Sequence, residues 1–290
     1  MQSQIPPHDA SSTGEDALRG STGIPRDVLE TVREVSRRYQ ITALDDFVAS
    51  CRSFAEEEVL NIAILGRFKT GKSSFLNKLL GRTVLPVGVI PVTAVVIEIQ
   101  YGPAERAEIR FLDGSTHVVA IEHVDEFVAE EKNPANRKGV AIVRIEIPSM
   151  EHYRGIRFVD TPGLESVFQH NTAASIEWLP NVGLALVAVG ADVPLSQHDI
   201  EFIRNLGRFT PNISILLTKV DILDAAQQAQ VIRFVEDQIE KHLNRSLTIY
   251  PYSTRPGFEA LREKLDEALL LKTQQGAKRE REAILRQKLV

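Results

Sequence analysis

The sequence predicts an α/β protein built on a doubly wound, mostly parallel β-sheet. Short apolar runs of strand length alternate with amphipathic stretches of helix length, the order that produces parallel sheets with helices on both faces. The apolar run at 60–65 ends sharply at Gly66, and a helix-like stretch follows the next few residues. The run at 182–189 is almost continuously apolar, as expected for a central strand covered on both faces.

The other elements follow from the same two patterns. Runs of β-branched and apolar residues of strand length predict strands, whereas apolar residues three and four apart predict helices. Strands are predicted at 60–65, 92–101, 107–112, 116–121, 140–147, 156–159, 182–189, 213–217 and 247–250. Helices are predicted at 74–80, 124–131, 197–206, 226–243 and 258–271. A hairpin about Asp113-Gly114 gives the sheet an antiparallel edge.

The two ends of the chain differ in character from this alternating part. Residues 1–23 are rich in Ser, Gly, Pro and Gln without hydrophobic periodicity, which predicts a disordered tail. Two apolar stripes at helical spacing follow, Val28, Val32, Val35 and Tyr39, then Leu44, Phe47, Val48, Cys51 and Phe54. Residues 272–290 predict a basic helix, whose charge suits either a solvated face or contact with a membrane surface.

The composition narrows the class of protein. The chain has 290 residues, and its 34 basic and 39 acidic side chains give a net charge of −5, which argues against a dedicated nucleic-acid binder. One cysteine excludes an internal disulfide and a cysteine metal cluster. No apolar run approaches the ~18 to 20 residues that span a bilayer. With no signal-peptide pattern at the N-terminus, the expected location is the cytoplasm.

The loop between the first strand and its helix has a phosphate-binding pattern. Residues 66–73 fit G-x-x-x-x-G-K-[ST] in the strand–loop–helix context that this motif requires. Backbone N–H groups of such a loop form an anion nest, towards which the helix dipole also points. Lys72 is expected to reach the β- and γ-phosphates, and the Ser73 hydroxyl to bind Mg²⁺. The candidate phosphate-binding residues are Gly66, Lys69, Thr70, Gly71, Lys72, Ser73 and Ser74.

A second motif, D-T-P-G at 160–163, follows another predicted strand. Asp160 is expected to hold Mg²⁺ through water, and the Gly163 N–H to contact the γ-phosphate. Between the first helix and the next strand, the loop that ends at Thr93 contains two prolines and a glycine. Thr93 is the candidate for binding Mg²⁺ through its hydroxyl and the attacking water through its carbonyl. Thr83 and Thr116 are the alternatives, but Thr93 enters the strand expected beside the phosphates.

The motif T-K-V-D at 218–221 selects the base. Asp221 can accept hydrogen bonds from N1–H and the N2 amine of guanine, a pair of donors that adenine lacks, so the motif favours GTP and GDP over adenine nucleotides. Lys219 is expected to lay its aliphatic stem across the base, with Thr218 beside it. Ser253 and Thr254 follow the last strand, where a small polar residue is expected to meet the guanine carbonyl through its backbone.

Taken together, these motifs resemble the GTPase domain of the dynamin superfamily. The segments are G-R-F-K-T-G-K-S-S-F-L-N-K-L-L-G, L-P-V-G-V-I-P-V-T, D-T-P-G and T-K-V-D, and the resemblance is closest to bacterial dynamin-like proteins, whose relatives include the mitofusins. It implies a P-loop GTPase domain at 59–255, with Thr93 as the catalytic switch threonine. It also implies neck helices at 24–58 and a neck or stalk helix at 256–290.

The same resemblance implies partners and a role. Members of this family couple GTP-driven head-to-head dimerisation to membrane remodelling. A homodimer across the nucleotide face is therefore expected, with a related dynamin-like partner or stalk and peripheral membrane contact as further possibilities. A nucleic-acid partner is not expected.

Two departures from related families concern catalysis. Many eukaryotic dynamins have a serine at the position of Lys69, where it helps to hold a monovalent cation, so Lys69 is a candidate replacement for that cation. Small signalling GTPases place a water-orienting glutamine at the position of Leu164, which cannot orient water. Thr93, its backbone or a partner protomer must then position the nucleophile, which predicts a rate that rises with protein concentration.

Two alternatives to the dynamin-like head remain. A regulatory GTPase, for instance one that assists ribosome assembly, shares the phosphate loop and D-T-P-G. Such proteins typically carry N-K-x-D, where this chain has Thr218, and an appended RNA-binding domain. The other alternative is a nucleotide-binding assembly scaffold with little hydrolysis, against which Thr93 counts.

Overall fold

The computed structural model describes residues 26–41, 59–85, 95–160, 182–193 and 195–274. Helices in this part are α1 (Arg26–Tyr39), α2 (Lys72–Leu80), α3 (Asp125–Val128), α4 (Gln197–Leu206), α5 (Ala225–Leu243) and α6 (Glu259–Gln274). Strands are β1 (Leu60–Leu65), β2 (Val96–Tyr101), β3 (Arg106–Phe111), β4 (Thr116–Val119), β5 (Val140–Ile147), β6 (Ile156–Asp160), β7 (Leu184–Gly190), β8 (Ile213–Thr218) and β9 (Thr248–Pro251). Short 3₁₀ segments lie at Ile121–His123, Pro134–Asn136, Pro148–Tyr153 and Val220–Ile222.

The described strands form one sheet in the order β4-β3-β5-β2-β6-β1-β7-β8-β9. The five strands from β6 to β9 in this order are parallel neighbours. The hairpin of β3 and β4 forms the antiparallel edge. In addition, β2 runs antiparallel to β6 inside the sheet and parallel to β5. The predicted α/β, mostly parallel fold is confirmed, with an internal antiparallel pair that the sequence pattern did not reveal.

Helices cover both faces of the sheet, as a doubly wound fold requires. On one face, Phe75 and Leu76 of α2 and Leu265 of α6 belong to the same buried cluster as β1. On the other face, Ile203 of α4 and Val235 of α5 pack with β7 and β8. The parallel strands β1, β7 and β8 are buried along their whole length, which explains their near-continuous apolar sequences.

Two helices begin with capping boxes that fix their first turns. The Ser196 hydroxyl accepts from the backbone of Asp199 at the start of α4, and the Asp199 carboxylate accepts in return from the Ser196 backbone. Asp224 and Gln227 form the same reciprocal pair at the start of α5. These side chains satisfy N–H groups that otherwise lack partners in the first turn of a helix.

Several predicted boundaries shift. The helix after the phosphate loop begins at Lys72 and not at 74, because the loop's last residues already have helical geometry. Predicted helix 124–131 shortens to Asp125–Val128. The strand predicted at 92–101 begins at Val96 in the structure. Val95 precedes the strand, and residues 92–94 lie outside the described residues. The apolar stripe of α1 leaves Val35 and Tyr39 exposed, while Ser36 is buried.

Candidate functional site

The candidate site lies at one edge of the sheet, where the carboxyl ends of β1, β6, β7, β8 and β9 meet. Parallel pairing forces this arrangement, and open α/β sheets bind ligands at this edge. The amino end of β2 reaches the same edge because β2 runs opposite to β6, with Ile97 opposite Asp160. Val95, which directly precedes β2, therefore lies at the end of the sheet that carries Asp160. Thr93 itself lies outside the described residues, as do Gly163 and Leu164.

The phosphate loop has the backbone conformation of a tight, concave turn. Gly66 has a φ of +130°, and a Cβ there would lie 2.4 Å from the Ala188 carbonyl oxygen of β7, so only glycine fits. The Lys72 ammonium turns into the loop and donates to the carbonyls of Gly66 at 2.7 Å and Arg67 at 2.8 Å. At the far end, the Phe75 N–H bonds the Gly71 carbonyl at 2.9 Å and starts α2. The loop thus surrounds the ammonium group of Lys72 and ends at the N-terminus of α2.

Two side chains from other elements hold this loop in place. The Thr218 hydroxyl donates to the Thr70 carbonyl at 2.6 Å and ties the loop to the end of β8. Arg67 Nε lies 2.9 Å from Asp199 Oδ1 in α4. The other oxygen of Asp199 accepts from the backbone N–H and hydroxyl of Ser196, at 2.8 Å each. Asp199 therefore both caps α4 and pairs with Arg67 of the phosphate loop. The sequence analysis did not identify Asp199, although the S-x-x-D capping pattern is present in the sequence.

Asp160 is the group best suited to a metal. Its side chain is 2% exposed, and Oδ1 has no hydrogen-bond partner among the described residues. Burial raises the pKa of Asp160 to about 6, with the Lys72 ammonium acting in the opposite direction. At neutral pH this carboxylate is therefore largely ionised, which is costly for a buried group that the charge of Lys72 stabilises only in part. Carboxylate and hydroxyl oxygens are ligands that Mg²⁺ prefers, so Asp160 and Ser73 fit this metal.

The burial of Asp160 leads to a testable effect on stability. Because its pKa is about 6 in the fold and 3.8 in the unfolded chain, the fold binds this proton more tightly, and ionisation destabilises the nucleotide-free protein. An Asp160→Asn variant is expected to gain up to about 3 kcal/mol in free energy of unfolding at neutral pH. The gain should shrink as the pH falls from about 6 to about 4. Urea unfolding in EDTA across that range measures it.

The matched control for that measurement is Asp192→Asn. Burial acts against ionisation of Asp192, but a hydrogen bond and attraction from Lys219 lower the pKa of this carboxyl below its usual value. Removing that charge should therefore destabilise the fold or leave it unchanged. Equal gains in both variants would contradict the assignment of the cost to Asp160.

The base-binding motif forms a second cluster at the same edge. Lys219 has a left-handed φ of +59°, and its ammonium donates to Asp192 Oδ2 at 2.7 Å. Asp192 follows β7, so this pair joins the loops after β7 and β8. The aliphatic stem of Lys219 is thereby held at the strand end where a base plane would lie. Sequence reasoning missed Asp192, because nothing local marks it as the partner of Lys219.

Ser253 contributes through its side chain. It is 1% exposed, and its hydroxyl donates to Asp221 Oδ1 at 2.6 Å. The hydroxyl also accepts from the Arg255 N–H at 3.0 Å, so both its donor and an acceptor site are used. This orients the Asp221 carboxylate, a contact beyond the backbone role expected for Ser253. Thr254 is exposed on the same loop.

The structure brings most predicted site residues to this edge. Lys69 lies on the exposed side of the phosphate loop, with a φ of +65° and its ammonium 5.7 Å from the centroid of the Phe68 ring. Ser73 and Ser74 are partly exposed in the first turn of α2. Within the described ranges there is no group of three or more His, Cys, Asp or Glu side chains placed to hold a metal ion. The helices of those same ranges include none that is both long and apolar enough to cross a membrane.

Known proteins resemble this chain in sequence. A family model described as "Dynamin family" matches residues 62–219, more than half of the chain. Dynamin-like protein 2 of Campylobacter jejuni subsp. jejuni serotype O:23/36 (strain 81-176) is 30% identical over 197 residues, 68% of this chain and 32% of that protein. The probable transmembrane GTPase FZO-like, chloroplastic, of Arabidopsis thaliana is 27% identical over 206 residues, 70% of this chain and 20% of that protein.

Two further comparisons extend over more of the chain. An uncharacterised protein of the xynA 3' region in Caldicellulosiruptor sp. (strain Rt8B.4) is 26% identical over 245 residues, 84% of this chain and 61% of that protein. A solved structure of an oligomerised bacterial dynamin pair has the same fold, with a TM-score of 0.69, 22% identity and coverage of 91% of this chain and 43% of that one. The chain spans between 20% and 61% of the curated relatives named here. It belongs to the dynamin family, as the match of the family model to residues 62–219 shows.

Proposed function

We propose that this chain is a dynamin-like mechanochemical head that hydrolyses GTP with Mg²⁺ and pairs head to head with a second copy of itself. The observation that carries the proposal is the meeting of the phosphate loop, Asp160 and the T-K-V-D motif at one sheet edge. Thr218 ties the phosphate loop to β8, and Ser253 orients Asp221 from β9. A triphosphate at the loop would therefore place its base against Asp221.

In this proposal each residue of the site has a defined task. The phosphate loop from Gly66 to Ser74 binds the phosphates through its backbone, and Lys72 leaves the loop carbonyls to contact them. Ser73, Thr93 and Asp160 would hold Mg²⁺, which when bound would neutralise charge on the β- and γ-phosphates. The Gly163 N–H contacts the γ-phosphate.

Hydrolysis proceeds by attack of water on the γ-phosphorus. The bond to the bridging oxygen breaks, and GDP and phosphate leave. Thr93 orients the water through its backbone carbonyl, since Leu164 has no polar group. Lys69 stabilises the negative charge that develops on the departing diphosphate.

An apolar rim around the nucleotide edge supports pairing with a second copy. Phe68, Val193 and Ile222 are all exposed, and they follow β1, β7 and β8, three neighbouring strands whose ends form this edge. Exposed apolar side chains clustered around a ligand site favour a protein–protein contact there. The Lys219–Asp192 bond joins two of the three loops, so Val193 and Ile222 are presented on connected backbone.

Light scattering with different nucleotides tests this proposal. We expect a monomer with GDP and a dimer with a non-hydrolysable GTP analogue or GDP–aluminium fluoride. Turnover per molecule should rise with protein concentration if the second copy completes the site. A monomer in all nucleotide states, with a rate that is independent of dilution, would favour the alternative of a regulatory GTPase.

Val193→Asp supplies the sharper arm of that test. Val193 is 53% exposed, and a charge buried at an apolar contact should weaken dimerisation at least roughly tenfold. Val118→Asp is the matched control, because Val118 is 62% exposed on β4 at the far edge of the sheet. GDP binding should survive in both variants. Equal dimerisation of the two variants would exclude the rim from the interface.

In this proposal, the helices that flank the GTPase domain form a neck that moves as a lever. We propose a tail at 1–23, neck helices at 24–58, a GTPase domain at 59–255 and a neck or stalk helix at 256–290, with α1 and the later part of α6 in the neck. A relative described as a transmembrane GTPase, and a fold neighbour described in the long-range sensing and tethering of membranes, support membrane remodelling, fusion or fission as the process. A cytoplasmic location, with peripheral contact at the inner membrane face and a related dynamin-like partner, completes the proposal.

A further inference from the structure

The C-terminal helix α6 contacts the guanine-side loop through one arginine. Arg262 is largely buried, with 14% of its side chain exposed. Its guanidinium Nη1 donates to the carbonyls of Ser253 at 3.1 Å and Arg255 at 3.0 Å. Nη2 donates to Glu259 Oε1 at 2.6 Å, one turn earlier in the same helix. A planar guanidinium with several fixed donors is suited to hold two carbonyls and one carboxylate in a set geometry.

The loop that Arg262 holds is the one that orients Asp221. The Ser253 hydroxyl donates to Asp221 Oδ1, while the Ser253 carbonyl accepts from Arg262. On the other side of the loop, the Tyr252 N–H bonds the Leu217 carbonyl at 2.8 Å, and the Tyr252 ring packs 5.0 Å from the ring of Phe75 in α2. Of these contacts, those made by Arg262 are the ones that come from α6.

A second polar contact attaches α6 elsewhere. One turn after Arg262, Asp266 accepts a hydrogen bond from the Tyr153 hydroxyl at 2.5 Å. Tyr153 belongs to the 3₁₀ segment before β6; its hydroxyl donates to α6, and its interaction with Tyr252 of the 252–255 loop is a weaker electrostatic one. Leu265, between these two anchors, and Leu269, one turn further along α6, are fully buried. Within the described residues, Arg262 therefore hydrogen-bonds the guanine loop, whereas Asp266 hydrogen-bonds Tyr153 outside it.

We propose that Arg262 is a positioning residue for guanine recognition, acting through the carbonyls of Ser253 and Arg255 on the orientation of Asp221. The inference rests on the proposed binding of guanine at Asp221. The contact of Arg262 with this loop also couples the position of α6 to the binding of the base. Such coupling is reciprocal, so each of the two affects the other. A bound base that orders Asp221 and Ser253 favours the position of α6 in which Arg262 hydrogen-bonds the carbonyls of Ser253 and Arg255. Conversely, displacement of α6 lowers the affinity for the base.

Nucleotides that differ only at the base test this role. Guanine offers Asp221 two donors, whereas hypoxanthine lacks the N2 amine and offers one. Arg262→Gln is expected to weaken GDP binding roughly tenfold and inosine diphosphate binding much less, so that the ratio of the two affinities falls at least about fivefold. In hydrolysis the loss should appear in KM more than in kcat, because the phosphate loop does not contact Arg262. Arg262→Lys should recover part of the ratio through a single ammonium.

Tyr153→Phe is the matched control. It removes the other polar anchor of α6 without removing a hydrogen bond to the 252–255 loop, so the ratio of GDP to inosine diphosphate affinity should stay close to the wild-type value. A ratio lowered equally by Tyr153→Phe would show that general seating of the helix, and not Arg262, sets selectivity. An unchanged ratio in Arg262→Gln would also overturn the inference while leaving the GTPase proposal intact. A wild-type protein that binds neither nucleotide would refute both.

Hydrogen exchange supplies a readout that a purely structural arginine would not move. GDP binding should slow exchange of the α6 backbone amides in the wild-type protein and in Tyr153→Phe. In Arg262→Gln this nucleotide-dependent slowing should disappear, even where the thermal midpoint of the variant is close to that of the control. Slowing that persists in Arg262→Gln would contradict the coupling between α6 and the base.

Discussion

An Asp221→Asn variant is expected to change its preferred nucleotide from GTP to xanthosine triphosphate. In the proposed guanine site the Asp221 carboxylate accepts from N1–H and the N2 amine of the base, and each such charge-assisted bond contributes roughly 1.5 to 3 kcal/mol. The amide keeps one acceptor and turns the other oxygen into a donor, which faces the guanine amine as donor against donor. Xanthine has a carbonyl at that position and accepts from the amide. GTP affinity should fall roughly 100- to 1,000-fold, while xanthosine triphosphate affinity rises.

Titration of both nucleotides into both proteins measures this exchange. Asp224→Asn is the matched control, since it makes the same substitution three residues later, at the N-cap of α5, where asparagine caps as well as aspartate. Its preference should stay with GTP. A constant ratio of the two affinities in Asp221→Asn would mean that Asp221 does not read the base, and the Ser253–Asp221 contact would then have only a structural role.

A Lys69→Ser variant is expected to lose most of its hydrolytic rate while keeping its GTP affinity within a few-fold. If the ammonium of Lys69 stabilises the leaving diphosphate, its removal should lower kcat roughly 100-fold, as the loss of one aligned charge-stabilising donor does in other enzymes. The left-handed backbone at this position is unfavourable for lysine and serine alike, so the substitution changes charge more than backbone strain. Serine also recreates the residue that holds a monovalent cation in many eukaryotic dynamins.

Salt dependence separates this role from a general effect of charge. Hydrolysis by Lys69→Ser should increase in K⁺ or Na⁺ relative to choline, whereas the wild-type rate should not. Lys78→Ser is the control, because Lys78 is an exposed lysine in the last turn of α2, away from the phosphate loop. A Lys69→Ser enzyme that hydrolyses at the full rate in every salt would rule out Lys69 as a stand-in for the cation.

Local sequence patterns were sufficient for most of the fold. Strand 140–147 and helix 197–206 have the predicted boundaries, because a β-branched apolar run in the first and apolar spacing in the second depend only on neighbouring residues. The internal antiparallel pair of β2 and β6 was not predicted. Its rungs join residues about sixty positions apart, such as Ile97 and Asp160, and the period of a strand does not identify its partner.

The same distinction separates what was predicted of the site from what was missed. The phosphate loop, Asp160 and T-K-V-D are contiguous motifs, so their residues could be named from the sequence. Asp192, Asp199 and Arg262 act through contacts with residues distant in sequence or through backbone carbonyls. Each is an ordinary surface residue type by composition, and only the folded arrangement shows which partner it has.

Asn77 has a consequence for the loop that carries Thr93. This buried residue of α2 donates to the Leu85 carbonyl at 2.8 Å and accepts from the N–H groups of Val84 and Leu85 at 2.9 and 2.8 Å. Val95, at the other end of the loop, is also buried. The segment containing Thr93 is therefore tethered at both ends to the body that holds Lys72 and Asp160. In the proposed mechanism, in which Thr93 acts at the phosphates, these tethers would set the effective concentration of the threonine there, so its action would be an intramolecular event insensitive to dilution. Any dependence of the rate on protein concentration must then come from the second copy.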